Sequence, residues 1–150
     1  MAQETVDKIA IYRLQHYTEF KDVALRNEQL QKIDPQKLGI LSIKGETLLH
    51  IAILQKDWQF CAQILKKNPE VGVVLNKKGD TPLHYLAMAI TQNPLSADVK
   101  NIKLLMQFLL NHGADINLLS KHSGKTPRQI ILDFYAKQRQ NEAPLPKLET

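Results

Sequence analysis

The fold is decided by GDTPLHYLA, Gly79 to Ala87, read together with LLNHGADIN, Leu109 to Asn117. Thr81 is a good helix N-cap, because its hydroxyl can accept a hydrogen bond from a free backbone N–H of the first turn. Pro82 follows it, where proline loses no helical hydrogen bond and fixes the entry angle. Gly79 stands two residues before the threonine, in a turn that often requires positive φ. His84 follows Thr81 by three residues. That spacing puts the two side chains on one helix face, within reach of a threonine–histidine hydrogen bond. The second stretch closes a helix at His112-Gly113.

The same pattern recurs on either side, as GETLLHIAI at Gly45 to Ile53 and GKTPRQIIL at Gly124 to Leu132. Thr47 and Thr81 lie 34 residues apart, and Thr81 and Thr126 lie 45 apart. The first interval fits a helix-pair repeat of about 33 residues, and the second the same repeat with roughly 11 to 12 more. The excess falls between Ala89 and Lys100, where TQNPLSADV reads as a lengthened loop or an extension of either helix. A helix pair of this size cannot bury its apolar face alone, so stacking on the next pair must complete the core. Small Ala52, Ala87 and Ala89 let the short helices approach closely.

The pattern predicts short helices starting at Thr47 and reaching about Lys56, at Thr81, and at Thr126 reaching about Gln138. Longer partners are expected over Trp58–Lys67 and from about Asp98 to Asn111, with Asp57 and Asn68-Pro69 as breaks. Val71 to Lys78 reads as extended connector. Upstream, Val6, Ile9, Ala10, Leu14 and Tyr17 predict a helix over residues 3 to 17. A second helix is expected over Glu19 to Lys32, with Phe20, Val23, Ala24, Leu30 and Ile33 near one face. Asp34-Pro35 ends it and a connector follows to residue 46. Residues 141–150 hold two prolines and few anchors, and are expected to fray.

These segments resemble the ankyrin repeat, with its G-x-TPLHxA start, its LLxxGAD helix ending and its hairpin into the next unit. The resemblance covers about Gly45 to Phe134 and implies an all-α fold: an ankyrin-repeat solenoid of stacked antiparallel helix pairs with short hairpin-like connectors. It divides one domain, 1–140, into a divergent N-terminal cap (1–44), a repeat (45–78), a repeat with an inserted loop near 90–99 (79–123) and a C-terminal cap (124–140), followed by a flexible tail (141–150). LQKIDPQKLGILS, Leu30 to Ser42, reads as a worn repeat ending. The first unit departs from the pattern, with Leu48 in place of proline and KKNPEVGVVLN in place of a GAD turn. The last unit has Arg128-Gln129 where leucine and histidine are expected, polar replacements that suit a solvent-facing end.

Composition is that of a soluble globular chain, 43% hydrophobic and 23% charged, and 150 residues suit one domain. The single cysteine, Cys61, excludes an internal disulfide and is compatible with a reducing compartment. Apolar runs such as Leu48 to Leu54 are too short to span a membrane, and Glu4 and Asp7 argue against a secretory leader. No membrane insertion is expected. A cytoplasmic location is expected, or the host cytosol if the chain is a microbial effector. The net charge of +5 permits an acidic protein or a nucleic acid as partner without choosing between them.

No catalytic, cofactor or metal constellation is evident. The histidines His16, His50, His84, His112 and His122 form no H-x-x-x-H and join no cysteine pair. His50 and His84 read as structural hydrogen-bonding residues, Cys61 as a buried thiol, and Trp58 as helix packing or an exposed anchor. Glu46, Asp57, Asp80 and Asp115 fall at turns or helix starts, where capping explains them. The expectation is a non-enzyme without cofactors.

Ankyrin-like stacks bind partners on the concave side, at the hairpin tips and exposed faces of the short helices. Matched by motif, that surface comprises Lys44, Lys77, Lys78, Asp80, Lys121, His122 and Lys125 at the tips, with Ile51 and Gln55 in one short helix and Tyr85 and Met88 in the next. The cations would form a basic stripe beside an apolar contact from Tyr85 and Met88, fitting a partner protein with acidic residues around a small hydrophobic anchor. Alternatively the lysines merely solubilise the tips. Nucleic-acid or anionic-surface binding would use the same stripe, but clustered aromatics for base stacking are missing. A structural subunit of a larger complex is a third reading. The chain alone is expected to be a monomer that serves as adaptor, inhibitor or effector.

Overall fold

Each predicted threonine caps a helix in the computed structural model, which describes residues 12, 14–15, 23–92 and 94–141. Six α-helices are found among the described residues: α1 (Val23–Lys32), α2 (Leu48–Leu54), α3 (Trp58–Lys67), α4 (Pro82–Ile90), α5 (Ser96–Asn111) and α6 (Pro127–Asn141). Two 3-10 helices join them, η1 (Pro35–Gly39) and η2 (Pro69–Val73), and no strand occurs among the described residues. The fold is all-α. The Thr47, Thr81 and Thr126 hydroxyls accept the backbone N–H groups of His50, His84 and Gln129, and Asp57 caps α3 through the N–H of Phe60.

Helix α2 packs on α3 and α4, α4 packs on α5 and α6, and α3 packs on α5. Helices α2, α4 and α6 therefore form one row, and α3 and α5 a second. Between them lie Leu48, Leu49, Ala52 and Ile53 of α2 and Leu83, Leu86 and Ala87 of α4. Phe60, Ile64 and Leu65 of α3 meet Ile102, Leu105 and Leu109 of α5 in the same core. Fully burying one such leucine or isoleucine contributes about 1.5–3 kcal/mol, so the apolar stripe on each helix holds the rows together. Cys61 is fully buried in this core.

The structure corrects several expectations. Residues 34–46 and 71–78 are not plain connector. Asp34 and Asn68 each accept the N–H two residues on and start η1 and η2, placing Leu38 and Val71 in the core. These turns lie 34 residues apart, and the Asn68 side-chain amide donates to the Pro35 carbonyl at 2.8 Å. The extra residues of the longer unit mostly lengthen a helix: α5 has 16 residues where α3 has 10, leaving a short loop between α4 and α5. Asp98, in the first turn of α5, accepts a hydrogen bond from the Trp58 indole at 2.8 Å. Trp58 is accordingly buried helix packing, the first of its two sequence readings.

Leu30 of α1 and Ile33 just beyond it are buried, but Ala24 is exposed. The inward place goes to Arg26, which donates to the Asp57 carboxylate at 2.6 Å and lies over the Phe60 ring at 4.2 Å. The predicted helix over 3–17 lies outside the described residues except for Tyr12, Leu14 and Gln15. Phe20 and the tail 142–150 also lie outside them.

Candidate functional site

The connectors before α2, α4 and α6 end in similar turns, the third longer by one residue. Ser42, Asn76 and Ser120 donate their N–H groups to the carbonyls of Glu46, Asp80 and Lys125 at 2.7, 2.9 and 2.9 Å. The turns are also joined to one another: the Lys77 N–H donates to the Gly45 carbonyl at 2.8 Å and the His122 N–H to the Lys78 carbonyl at 3.2 Å. Gly45 and Gly79 have φ of 81° and 82°, which glycine adopts without steric cost. A Cβ at Gly45 would stand 2.4 Å from the Cβ of Lys77, so the close stacking needs glycine there.

This ladder gathers charge. Lys44, Lys77, Lys78, Lys121 and His122 surround an open cleft of about 480 Å³. Among the described residues, none of the four lysine ammonium groups has an ion-pair or hydrogen-bond partner. Lys125 does not line the cleft. It pairs with Asp133 at 2.9 Å and, with the Gln129 amide, holds that carboxyl below the usual range.

A second cleft, of about 410 Å³, adjoins the first. It is lined by Gln15, Ser42, Ile43, Lys44, Glu46, Ile51, Leu54 and Gln55, so Lys44 belongs to both. Ile43 is 86% and Leu54 59% exposed, whereas Ile51 is half-buried. Ile43 and Leu54 were missed by sequence reasoning. Ile43 occupies the turn position that Lys77 occupies 34 residues later, and laying the turns over one another would have found it.

Two residues expected on the surface are inside. Tyr85 is 7% exposed and offers no open apolar contact. Its hydroxyl donates to Glu46 at 2.5 Å and accepts from the Asn76 amide at 2.8 Å, and its ring meets His50 edge-on at 4.8 Å. Burial, then the Glu46 carboxylate, pushes the Tyr85 phenol well up. The Glu46 carboxylate therefore serves this bond, and not the capping role expected of it. Asp80 is likewise buried, with its N–H donating to the Asn76 side chain and its carbonyl accepting from His50. Met88 is half-buried against the core, and Gln55 is exposed.

The histidines divide as the sequence suggests. His50 Nδ1 lies 2.6 Å from the Thr47 hydroxyl, and His84 Nδ1 lies 2.8 Å from that of Thr81. His50 Nε2 reaches the Asp80 carbonyl at 2.9 Å and His84 Nε2 the Lys125 carbonyl at 3.2 Å. His112 lies at the end of α5, stacked on Phe108, with Nδ1 donating to the Phe108 carbonyl. His16 lies outside the described residues. Burial pushes the Cys61 thiol far up, which leaves it a poor nucleophile. Among the described residues, no three histidine, cysteine, aspartate or glutamate side chains are grouped to hold a metal ion, and no helix is long and apolar enough to cross a membrane.

Residues 78–121 match the ankyrin repeat family model. The match runs from the tip of the second turn to that of the third, through α4 and α5. No curated protein matches the chain. The ankyrin repeat is a protein-interaction module and not a catalytic one, in agreement with the expectation of a non-enzyme.

Proposed function

We propose that this chain is an ankyrin-repeat protein that binds another protein through its basic turn tips and the adjoining face of the short helices. The repeat architecture extends beyond the matched segment, over a unit at 45–78, a longer one at 79–123 and a C-terminal cap at 124–140, with 1–44 as a divergent N-terminal cap. The 34-residue correspondence between η1 with its turn and η2 with its turn supports this division. The observation that carries the functional reading is the gathering of Lys44, Lys77, Lys78, Lys121 and His122 around one cleft. Like charges held close on a rigid backbone repel one another, and an acidic partner removes that cost while gaining their attraction. Adaptor, inhibitor and effector roles would share this surface, and the partner distinguishes them.

The test is affinity capture from cytosolic extract with the folded protein, beside the triple variant Lys77→Glu, Lys78→Glu, Lys121→Glu. The reading predicts a stoichiometric protein that the variant loses. Retention of that protein by the variant at unchanged salt sensitivity contradicts it. Recovery of nucleic acid, removed by moderate salt, transfers the surface to electrostatic nucleic-acid binding.

A further inference from the structure

The two clefts differ in chemistry but meet at one residue, and their order along the stack is fixed. Ile43, Lys77 and Lys121 are the first tip residues of successive turns, and Lys44, Lys78 and His122 are the second. The backbone bonds from Lys77 to Gly45 and from His122 to Lys78 hold the three tips in register. Along this ridge the surface passes from an aliphatic end, Ile43 beside Leu54 and Ile51, to a cationic end, with Lys44 in both clefts. Ile43 projects almost fully into solvent at a turn position where the following units carry lysine. The acid lining the aliphatic cleft, Glu46, is held by Tyr85 and Asn76, so its carboxylate is already hydrogen-bonded within the protein.

We propose that the two clefts form one bipartite site for an extended acidic segment of a partner protein. One aliphatic side chain of that segment seats against Ile43, Ile51 and Leu54, and its carboxylates lie along Lys44, Lys77, Lys78, Lys121 and His122. The inference rests on the protein-binding reading above and makes it more specific. A tip surface that merely attracts acids would accept any polyanion. The aliphatic cleft adds a requirement that charge alone does not supply, because burying one branched side chain depends on shape and not on ionic strength. The apolar contact therefore comes from Ile43 and Leu54, while Tyr85 lies in the core.

Fluorescence anisotropy with labelled synthetic peptides tests the site. The parent probe carries one leucine, two glycines and four glutamates. A second probe reverses this order to cover either chain direction, and control probes replace leucine by serine or the glutamates by glutamine. The better-bound order of the leucine probe should bind about tenfold more tightly than its serine version, and glutamine should weaken it further. The double variant Ile43→Ser, Leu54→Ser changes two exposed side chains. It should bind leucine and serine probes alike while keeping the salt dependence of the wild type. Circular dichroism melts of wild type and variant should coincide. Equal affinity of the wild type for leucine and serine probes, with glutamine still weakening binding, overturns the bipartite site and leaves the basic-tip reading standing. The same holds if the variant retains the leucine preference. If glutamate and glutamine probes bind equally, or none binds, both readings fall.

Discussion

The imidazole of His50 and the backbone carbonyl of Asp80 are joined at 2.9 Å across 30 residues of chain. A carbonyl can only accept, so Nε2 carries the proton and Nδ1 is left to accept from the Thr47 hydroxyl. One neutral ring thereby ties the start of α2 to the turn that precedes α4. His50→Ala should cost about 2–4 kcal/mol, combining a cavity with the loss of two buried hydrogen bonds. Urea unfolding monitored by circular dichroism measures this.

The same bond predicts a pH dependence. Burial lowers the His50 pKa from its ordinary 6.5, outweighing the Asp80 carbonyl and the Glu46 and Asp80 charges that raise it. Below that ordinary value the unfolded chain takes up a proton that the folded chain resists, so stability is lost as pH falls. The contribution is complete above the ordinary value and declines from there toward the lowered folded value. Thermal melts on either side of pH 6.5 should show a lower midpoint on the acid side, and the His50→Gln variant should show a smaller decline.

Tyr85→Phe separates structure from binding. It removes the hydroxyl between Glu46 and Asn76 and should cost about 1–2 kcal/mol of stability. Because the ring is buried, affinity for an acidic partner changes only through the Glu46 carboxylate that the variant releases into the aliphatic cleft, and the loss should be small at temperatures where both proteins are folded. Isothermal titration of wild type and variant measures this, and a large loss of affinity would return Tyr85 to the contact surface.

Two backbone positions give effects of opposite sign. A Cβ on Gly72 would stand 2.3 Å from Leu109 Cδ2, and Leu109 is buried between α5 and η2. Gly72→Ala should destabilise by about 1–3 kcal/mol, as overpacking does. Lys56 closes α2 at φ 58°, a left-handed conformation that favours glycine, with the Asp57 N–H reaching back to the Ala52 carbonyl at 3.1 Å. Lys56→Gly should stabilise by about 0.5–1 kcal/mol, the relieved strain exceeding the greater freedom of the unfolded chain. Chemical denaturation midpoints check both.

The helix starts were legible because local chemistry fixes them: a threonine cap, a proline at the next position and a histidine three residues on. The basic tips were legible for the same reason, since the turn glycines mark their places. The contacts between units were not. Neither the Tyr85–Glu46 bond nor the Trp58–Asp98 bond has a local signature, because each depends on the lateral placement of one helix pair against the next. Tyr85 was misread as exposed since matching by motif gives a position on the helix but not what covers it. The 3-10 helices escaped notice because so few residues carry no usable period, although Asp34-Pro35 and Asn68-Pro69 announce their caps.

The most direct test of the basic-tip surface is the amide spectrum of isotope-labelled protein titrated with the leucine–glutamate probe. The account predicts shifts concentrated at Ile43, Lys44, Lys77, Lys78, Lys121 and His122, with Leu54 and Gln55 following and the outer faces of α3 and α5 silent. Shifts concentrated on α3 and α5, with the three turns unmoved, would contradict it.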